Sequence, residues 1–173
     1  MSQEALKEAL GKTIEAITKN PVCANAVFRA QTELCDGVCC SIKVRDFETV
    51  LVDEPAELGG TNKAMNPVEM VLGALGTCQE IMYAAYAAVM GIPLTKVKVD
   101  IKGHIDLRGL FAMDDTAFPG FKKITYETSI ESPADRETLQ KLVDMVESHC
   151  PVYDTLVRPV EVKGEVTING TKK

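Results

Sequence analysis

NPVEMVLGALGTCQEIMYAAYAAVM, residues 66–90, is the stretch that decides the fold of this chain. Asn66 suits the N-cap position of a helix, and Pro67 suits the first helical position. Glu69 stands where the carboxylate of a capping box reaches back to the open backbone N–H groups. The stretch therefore predicts one helix of roughly twenty-five residues, well above the average helix length in globular proteins.

The predicted helix is apolar on nearly every face. Many of its residues are small enough to let another backbone come close: Gly73, Ala74, Gly76, Ala84, Ala85, Ala87 and Ala88. A helix that is apolar all round is buried, while Glu69, Gln79 and Glu80 argue against a membrane span. Cys78, near the middle of the helix, should therefore be screened from water on most sides.

Composition limits the class of protein. A chain of 173 residues can form one domain with a substantial core. The net charge of −6, without a basic run, disfavours nucleic acids and anionic membranes as partners. Because no signal-peptide pattern is evident, we expect a cytoplasmic location. In that compartment cysteines are thiols, redox centres or ligands rather than a disulfide framework: Cys23, Cys35, Cys39, Cys40, Cys78 and Cys150.

The residues before the long helix predict a helix followed by strands. Residues 2–19 carry one apolar stripe, formed by Leu6, Leu10, Ile14 and Ile17. Strand periodicity follows in 28–34, 38–44 and 49–52, with a hairpin turn at 35–37. The segment 53–65 is rich in Pro and Gly and predicts a loop. We therefore divide the chain into an N-terminal amphipathic extension, residues 1–20, and an α+β domain, residues 21–173.

The residues after the long helix predict two strands, a second helix and a closing strand. Strands are expected at 97–107 and 122–130, with a loop between them. Ser132 is the predicted cap of the second helix, which must break at Cys150 because Pro151 disfavours the α conformation there. A last strand is expected at 160–168. This order indicates an α+β fold with one helix buried against antiparallel sheet.

Cys78 and Cys150 are the candidate reactive thiols. Cys78 is either a small apolar core residue or a nucleophile. Cys150 stands at a predicted helix start, where unpaired N–H groups stabilise a thiolate and lower the pKa of the thiol. If the two thiols meet in space, they can form a reversible disulfide, and the sequence leaves that meeting open.

Other candidates have ordinary alternatives. Glu69 lies nine residues before Cys78, on the opposite face of a straight helix, so it is either a cap or an active-site residue brought in by a bend, an arginine or a partner subunit. Arg29 and Arg45 are either surface residues or cations that favour a thiolate. Cys35, Cys39 and Cys40 form a weak zinc signature because no histidine is near them.

Two motifs together resemble those of the OsmC/Ohr family of thiol-dependent peroxidases. The first is VDEPAELGGTNKAMNPVEMVLGALGTC, residues 52–78, and the second is ESHCPVYDTL, residues 147–156. The most specific parts are Gly59-Gly60, the Pro-x-Glu opening of the helix, the cysteine within that helix and the later Cys-Pro-Val. The resemblance covers roughly residues 43–168.

The resemblance implies an intertwined homodimer of α+β subunits, with antiparallel sheets wrapped around a long central helix. It implies a peroxidatic Cys78 and a resolving Cys150, assisted by an arginine and a glutamate. Glu69 matches the broader OsmC-like branch, whereas the hydroperoxide resistance members carry the glutamate one position earlier, where this chain has Val68. Arg45 is the candidate arginine, with Arg29 as the alternative.

The function implied by the resemblance is reduction of organic hydroperoxides through a Cys78 sulfenic acid and a Cys78–Cys150 disulfide. An external dithiol would restore both thiols, and no metal or organic cofactor is required. Two other kinds of protein remain open from the residues. One is a non-catalytic dimer that binds an apolar small molecule at its interface, and the other is a thiol-based sensor or a metal-binding protein.

Overall fold

The long helix predicted around Cys78 is the centre of the structure, a computed structural model that describes residues 2–172. The helices are α1 Gln3–Lys19, α2 Pro67–Met90, α3 Leu107–Leu110, α4 Arg136–His149 and α5 Pro151–Val157. The strands are β1 Gln31–Asp36, β2 Cys39–Lys43, β3 Val50–Val52, β4 Lys96–Ile105, β5 Phe121–Glu131, β6 Thr167–Ile168 and β7 Thr171–Lys172. Residues 1 and 173, the outer bounds of the two predicted segments, lie outside the described residues.

The ends of α2 form as the sequence predicts. The Asn66 side chain accepts a hydrogen bond from the Glu69 N–H at 2.9 Å, and the Glu69 carboxylate accepts one from the Asn66 N–H at 2.8 Å. At the other end Gly91 adopts a left-handed conformation, with φ of 70°, and accommodates the C-cap without steric cost. The capping box and the glycine together account for the bounds of the helix.

The core lies between α2, α4 and the ladder of β4 and β5. These two strands pair antiparallel over their whole length, with Val97 opposite Ile130 and Ile101 opposite Tyr126. The most buried apolar residues join the end of α2 to α4: Tyr83, Ala87, Ile92, Leu142 and Val146. Helix α1 packs on α2, and the Gln3 amide donates to the Ile92 carbonyl at 2.5 Å. The predicted α+β class, with a helix against antiparallel sheet, is confirmed.

A second antiparallel sheet, in the order β1-β2-β3, stands apart from this core. Within residues 2–172 its strands do not pack extensively on any helix. Both the segment that precedes it and the C-terminal segment are exposed, with Phe28 93 % and Val162 89 % accessible. Apolar residues exposed in such numbers usually mark surfaces that bind another protein.

The predicted cap of the second helix is wrong. The Ser132 hydroxyl accepts a hydrogen bond from the Ala134 N–H and donates one to the Pro93 carbonyl, so it joins β5 to the chain after α2. Asp135 is the N-cap of α4, because its extended backbone lets its carboxylate accept from the Thr138 N–H at 2.9 Å. The helix therefore begins one turn later than predicted.

The predicted closing strand at 160–168 is also wrong. Only Thr167–Ile168 is extended in a ladder there, and it pairs with Thr171–Lys172 in a small hairpin. Residues 158–166 lie exposed along the surface and pair with no strand among the described residues. An alternating sequence becomes a strand only where the edge of a neighbouring strand accepts its hydrogen bonds. Among residues 2–172, no such edge lies beside this segment.

Smaller differences concern strand ends. Residues 28–30 precede β1 instead of belonging to it. Leu107, predicted as the end of a strand, begins α3 because the Asp106 carboxylate accepts from the Arg108 N–H and starts a helical turn.

Candidate thiol site

Cys78 and Cys150 come together at the junction of three helices. Cys78 lies in the middle of α2, and Cys150 is the single residue between α4 and α5. Helix α5 packs on α2, and the Cys78 thiol is a direct neighbour of the Cys150 thiol. Both are free thiols, with Cys150 only 1 % exposed and Cys78 half-buried. The sequence left this meeting open, and the tertiary structure brings the two together.

The environment of Cys150 raises the pKa of its thiol. Burial is the largest cause, because a thiolate loses its hydration there. The backbone N–H groups of Tyr153 and Val152 oppose it, and the neighbouring Cys78 thiol adds to it. The predicted lowering of this pKa is therefore wrong in sign. The start of α5 acts in the predicted direction, but burial outweighs it.

Glu69 serves as a helix cap within the subunit. Its carboxylate is exposed at the first turn of α2 and accepts from the Asn66 N–H. Among residues 2–172, no hydrogen bond or ion pair joins it to Cys78. A separation of nine residues at 100° per residue places the two side chains on opposite faces of a helix.

Arg45 lies on the exposed three-stranded sheet. It follows β2 in a turn closed by the Phe47 N–H and the Val44 carbonyl at 3.2 Å, and its guanidinium lies 4.4 Å from the centre of the Phe47 ring. Its φ of 49° is rare for a residue with a side chain. Arg29 and Arg45 line one groove of about 560 Å³. In the described part of the subunit, neither arginine contacts Cys78.

An aromatic contact that the sequence did not indicate joins β5 to the first turn of α5. Tyr126 of β5 and Tyr153 of α5 meet edge to face, with ring centres 6.4 Å apart. They line an apolar cavity of about 470 Å³ together with Leu75, Phe121, Ile124, Lys122, Lys123, Leu156 and Val157. The alternation of residues 122–130 places Tyr126 on one face of the strand. Nothing in the sequence indicated that it would meet the residues after Cys150.

The loop before α2 is held by one buried carboxylate. Asp53, 1 % exposed, accepts hydrogen bonds from the Thr61 hydroxyl and from the backbone N–H groups of Glu54, Thr61 and Lys63. The hydroxyl and the N–H groups together lower the pKa of Asp53 to about 2. Glu54 in turn accepts from the Asn66 side chain at 3.1 Å. The loop thus fixes the start of the helix that carries Cys78.

The other thiols lie away from this junction. Cys35, Cys39 and Cys40 surround the β1–β2 turn, where burial and then the charge of Asp53 raise the pKa of Cys39. No three His, Cys, Asp or Glu side chains between residues 2 and 172 are gathered as ligands for a metal ion. Over the same residues, no helix has both the length and the apolar character needed to cross a bilayer.

Comparison with known proteins extends these observations. A hydroperoxide reductase of Mycoplasma genitalium is 30 % identical over 111 residues, which are 64 % of this chain and 73 % of that protein. The structure of an OsmC-like protein from Mycoplasma pneumoniae superposes with a TM-score of 0.66 at 18 % identity, covering 76 % of this chain and 88 % of the other. An organic hydroperoxide resistance protein OsmC from Legionella pneumophila gives 0.58 at 21 % identity, covering 80 % and 96 %.

At such identities the two solved structures show that the fold is shared. The model of the OsmC-like protein family matches residues 60–165, which include α2, both strands of the β4–β5 ladder and the helices on either side of Cys150. The match covers more than half of the chain and contains the second motif and the part of the first from Gly60 onwards, including Cys78. This chain therefore belongs to the OsmC-like protein family.

Proposed function

We propose that this protein is a thiol-dependent peroxidase that reduces organic hydroperoxides, with Cys78 as the peroxidatic and Cys150 as the resolving cysteine. The observation that carries the proposal is the pair of adjacent free thiols at the α2–α4–α5 junction, one half-exposed and one buried. A relative named hydroperoxide reductase supports it. The reducing cytoplasm is the proposed location, since both cysteines must return to thiols.

The proposed reduction of a hydroperoxide has three steps. The Cys78 thiolate attacks the outer oxygen of ROOH, the O–O bond breaks, and the alkoxide takes a proton and leaves as the alcohol ROH. Cys78 is then a sulfenic acid, S–OH. The Cys150 sulfur attacks this sulfur and forms the disulfide, while the hydroxyl leaves as water. An external dithiol finally reduces the disulfide and is itself oxidised to a disulfide.

The division of roles follows from accessibility. Cys78 is half-buried and can meet a peroxide, whereas Cys150 is buried, and burial raises the pKa of its thiol. A thiol that is withheld from solvent in this way reacts with its neighbour rather than with the peroxide. The apolar cavity beside Tyr126 and Tyr153 favours peroxides that carry hydrocarbon groups over hydrogen peroxide.

We further propose that the site is completed in a homodimer. The three-stranded sheet that bears Arg45, with Arg29 just before it, lacks a covering layer within residues 2–172. The face of α2 that carries Cys78 exposes Ile81, which is 67 % accessible. An intertwined partner would cover both surfaces and bring an arginine to the thiolate, where a guanidinium stabilises the anion and the charge on the leaving oxygen. In this arrangement Glu69 would orient that arginine.

The dimer is tested by sedimentation equilibrium. The subunit has a mass of 18.8 kDa, and we expect twice that value at micromolar concentration. Replacing the exposed Ile81 by aspartate should shift the equilibrium towards the monomer, because an apolar contact would then bury an unpaired charge. Replacing Lys12, exposed on α1, by aspartate is the control and should leave the dimer intact. A monomeric wild type would contradict the proposed dimer.

The proposed chemistry is tested by peptide mapping under non-reducing conditions. Reduced protein is exposed briefly to one equivalent of cumene hydroperoxide and is then alkylated. We expect the wild type to lose two hydrogens as a Cys78–Cys150 disulfide, and the Cys150→Ser variant to hold Cys78 as a sulfenic acid that dimedone traps. If Cys78 stays reduced while other cysteines oxidise slowly, the peroxidase is excluded in favour of a dimer that only binds ligands.

A further inference from the structure

Tyr126 touches the chain on both sides of Cys150. Its hydroxyl donates to the Glu147 carboxylate at 3.4 Å, near the end of α4. Its ring meets the edge of Tyr153 in the first turn of α5, with centres 6.4 Å apart. Glu147 lies three residues before Cys150 and Tyr153 three residues after it. One side chain of the sheet therefore spans the junction at which the buried thiol sits.

Tyr126 is also linked to the residue that follows Cys78. Burial raises the pKa of the Tyr126 hydroxyl, the Glu147 charge raises it further, and the nearby Gln79 side chain opposes them. Gln79 is 1 % exposed, and its Oε1 has no hydrogen-bond partner among the described residues. Burying an amide that is only half satisfied is unfavourable.

Cys150 is the single non-helical residue between α4 and α5, with φ of −73° and ψ of 114°. Helix α5, which it begins, has only 7 residues. A disulfide needs Cα atoms about 4.4–6.8 Å apart and a narrow range of torsion angles, so a small shift of this junction takes the two sulfurs out of reach.

From these contacts we propose that Tyr126 is a positioning residue for disulfide formation, which holds Cys150 against Cys78 through Glu147 and Tyr153. The inference rests on the peroxidase function proposed above. It concerns the step in which the Cys150 sulfur displaces the hydroxyl of the Cys78 sulfenic acid as water. Tyr126 exchanges no proton and forms no bond in that step. Its contribution is the alignment of the two sulfurs.

The test separates the two oxidation steps in time. Reduced wild type and Tyr126→Phe are mixed with one equivalent of cumene hydroperoxide, quenched with acid at intervals and mapped. The variant keeps the ring beside Tyr153 but loses the hydroxyl that donates to Glu147. We expect loss of the Cys78 thiol at an unchanged rate, within about twofold, and disulfide formation slowed about tenfold. At excess peroxide, the Cys78 sulfinic acid should increase because its sulfenic precursor lives longer.

Tyr83→Phe is the matched control. Tyr83 is 2 % exposed, and its hydroxyl also lies in the interior near Glu147, where burial raises its pKa to about 12. It makes no aromatic contact with the segment around Cys150 among the described residues. We expect this variant to form the disulfide at the wild-type rate. Glu147→Gln, a surface change, is the second test and should slow the same step severalfold even if Tyr126→Phe does not fold.

The outcomes separate the two proposals. If wild type forms the disulfide and Tyr126→Phe forms it equally fast, the positioning role is overturned while the peroxidase stands. If Tyr83→Phe slows disulfide formation as much as Tyr126→Phe, a general loosening of the core explains both, and the positioning role is again overturned. If wild type itself forms no Cys78–Cys150 disulfide, the peroxidase function fails and this inference fails with it.

Discussion

Replacing Cys78 by serine is expected to reduce the turnover of organic hydroperoxides by at least about a thousandfold, since a lost nucleophile commonly costs that much or more. Serine has nearly the shape of cysteine and should leave α2 in place. Its hydroxyl stays protonated near neutral pH and is a poor nucleophile towards an O–O bond without an adjacent base. The measurement is consumption of tert-butyl hydroperoxide in the presence of dihydrolipoamide or dithiothreitol.

The other cysteines provide controls for this prediction. Cys35→Ser removes an exposed thiol of the β1–β2 hairpin and should keep the wild-type rate. Cys150→Ser should complete its first reduction of peroxide and then turn over slowly, because the Cys78 sulfenic acid has no neighbouring thiol to condense with. A Cys78→Ser variant with normal turnover would remove Cys78 from the mechanism, whatever the distance between the two thiols.

Replacing Gly60 by alanine is expected to destabilise the folded protein by about 3 kcal/mol or more. A Cβ atom at Gly60 would lie 1.8 Å from the Glu54 carbonyl oxygen and 2.4 Å from its carbon, so the backbone must move. The movement would strain two hydrogen bonds: Asn62 N–H to the Glu54 carbonyl at 3.0 Å, and Gly60 N–H to the Pro55 carbonyl at 3.1 Å. Equilibrium unfolding in urea, followed by circular dichroism, measures the effect.

Gly59→Ala is the matched control for the steric clash between a Cβ atom at Gly60 and the Glu54 backbone. Gly59 has open space around its Cα but a φ of +85°, so alanine there meets conformational strain without a steric clash. The expected cost is about 1–2 kcal/mol, the usual value for a side chain in a left-handed conformation. Equal losses in the two variants would show that backbone conformation, rather than contact with Glu54, explains the Gly-Gly pair.

The local signals of the sequence were reliable where the residues that determine a structure are close together in the chain. The Asn66–Glu69 capping box sets the start of α2, and the alternation of residues 97–107 and 122–130 indicates β4 and β5. Two signals of the same kind failed. Ser132 stands where the cap of α4 is predicted, but its hydroxyl is bound to the Pro93 carbonyl from a distant part of the chain. Residues 160–168 alternate like a strand, yet among residues 2–172 no strand edge pairs with most of them.

Some features of the candidate site could likewise be predicted from the sequence, and others could not. Cys78 and Cys150 could be named from the sequence, since each stands in a recognisable motif on a helix. The sign of the pKa shift at Cys150 could not, because the dipole of α5 is local whereas the burial that outweighs it comes from the packing of α2 on α5. The sequence places Tyr126 on one face of β5 together with several other residues, and it does not single Tyr126 out.

The sequence by itself determined the long central helix, the order of helices and strands from α1 to α4 apart from the short helix α3, and the two cysteines that belong to the central helix and to the α4–α5 junction. These features depend on side chains within a few positions of one another, and short-range capping and periodicity encode them. Only the tertiary structure decided that the two thiols meet, that burial raises the pKa of Cys150, and that Tyr126 lies against both sides of its junction. Those facts depend on contacts between α2, β5 and α5, which are far apart in the chain and come together only when the apolar surface of α2 is buried.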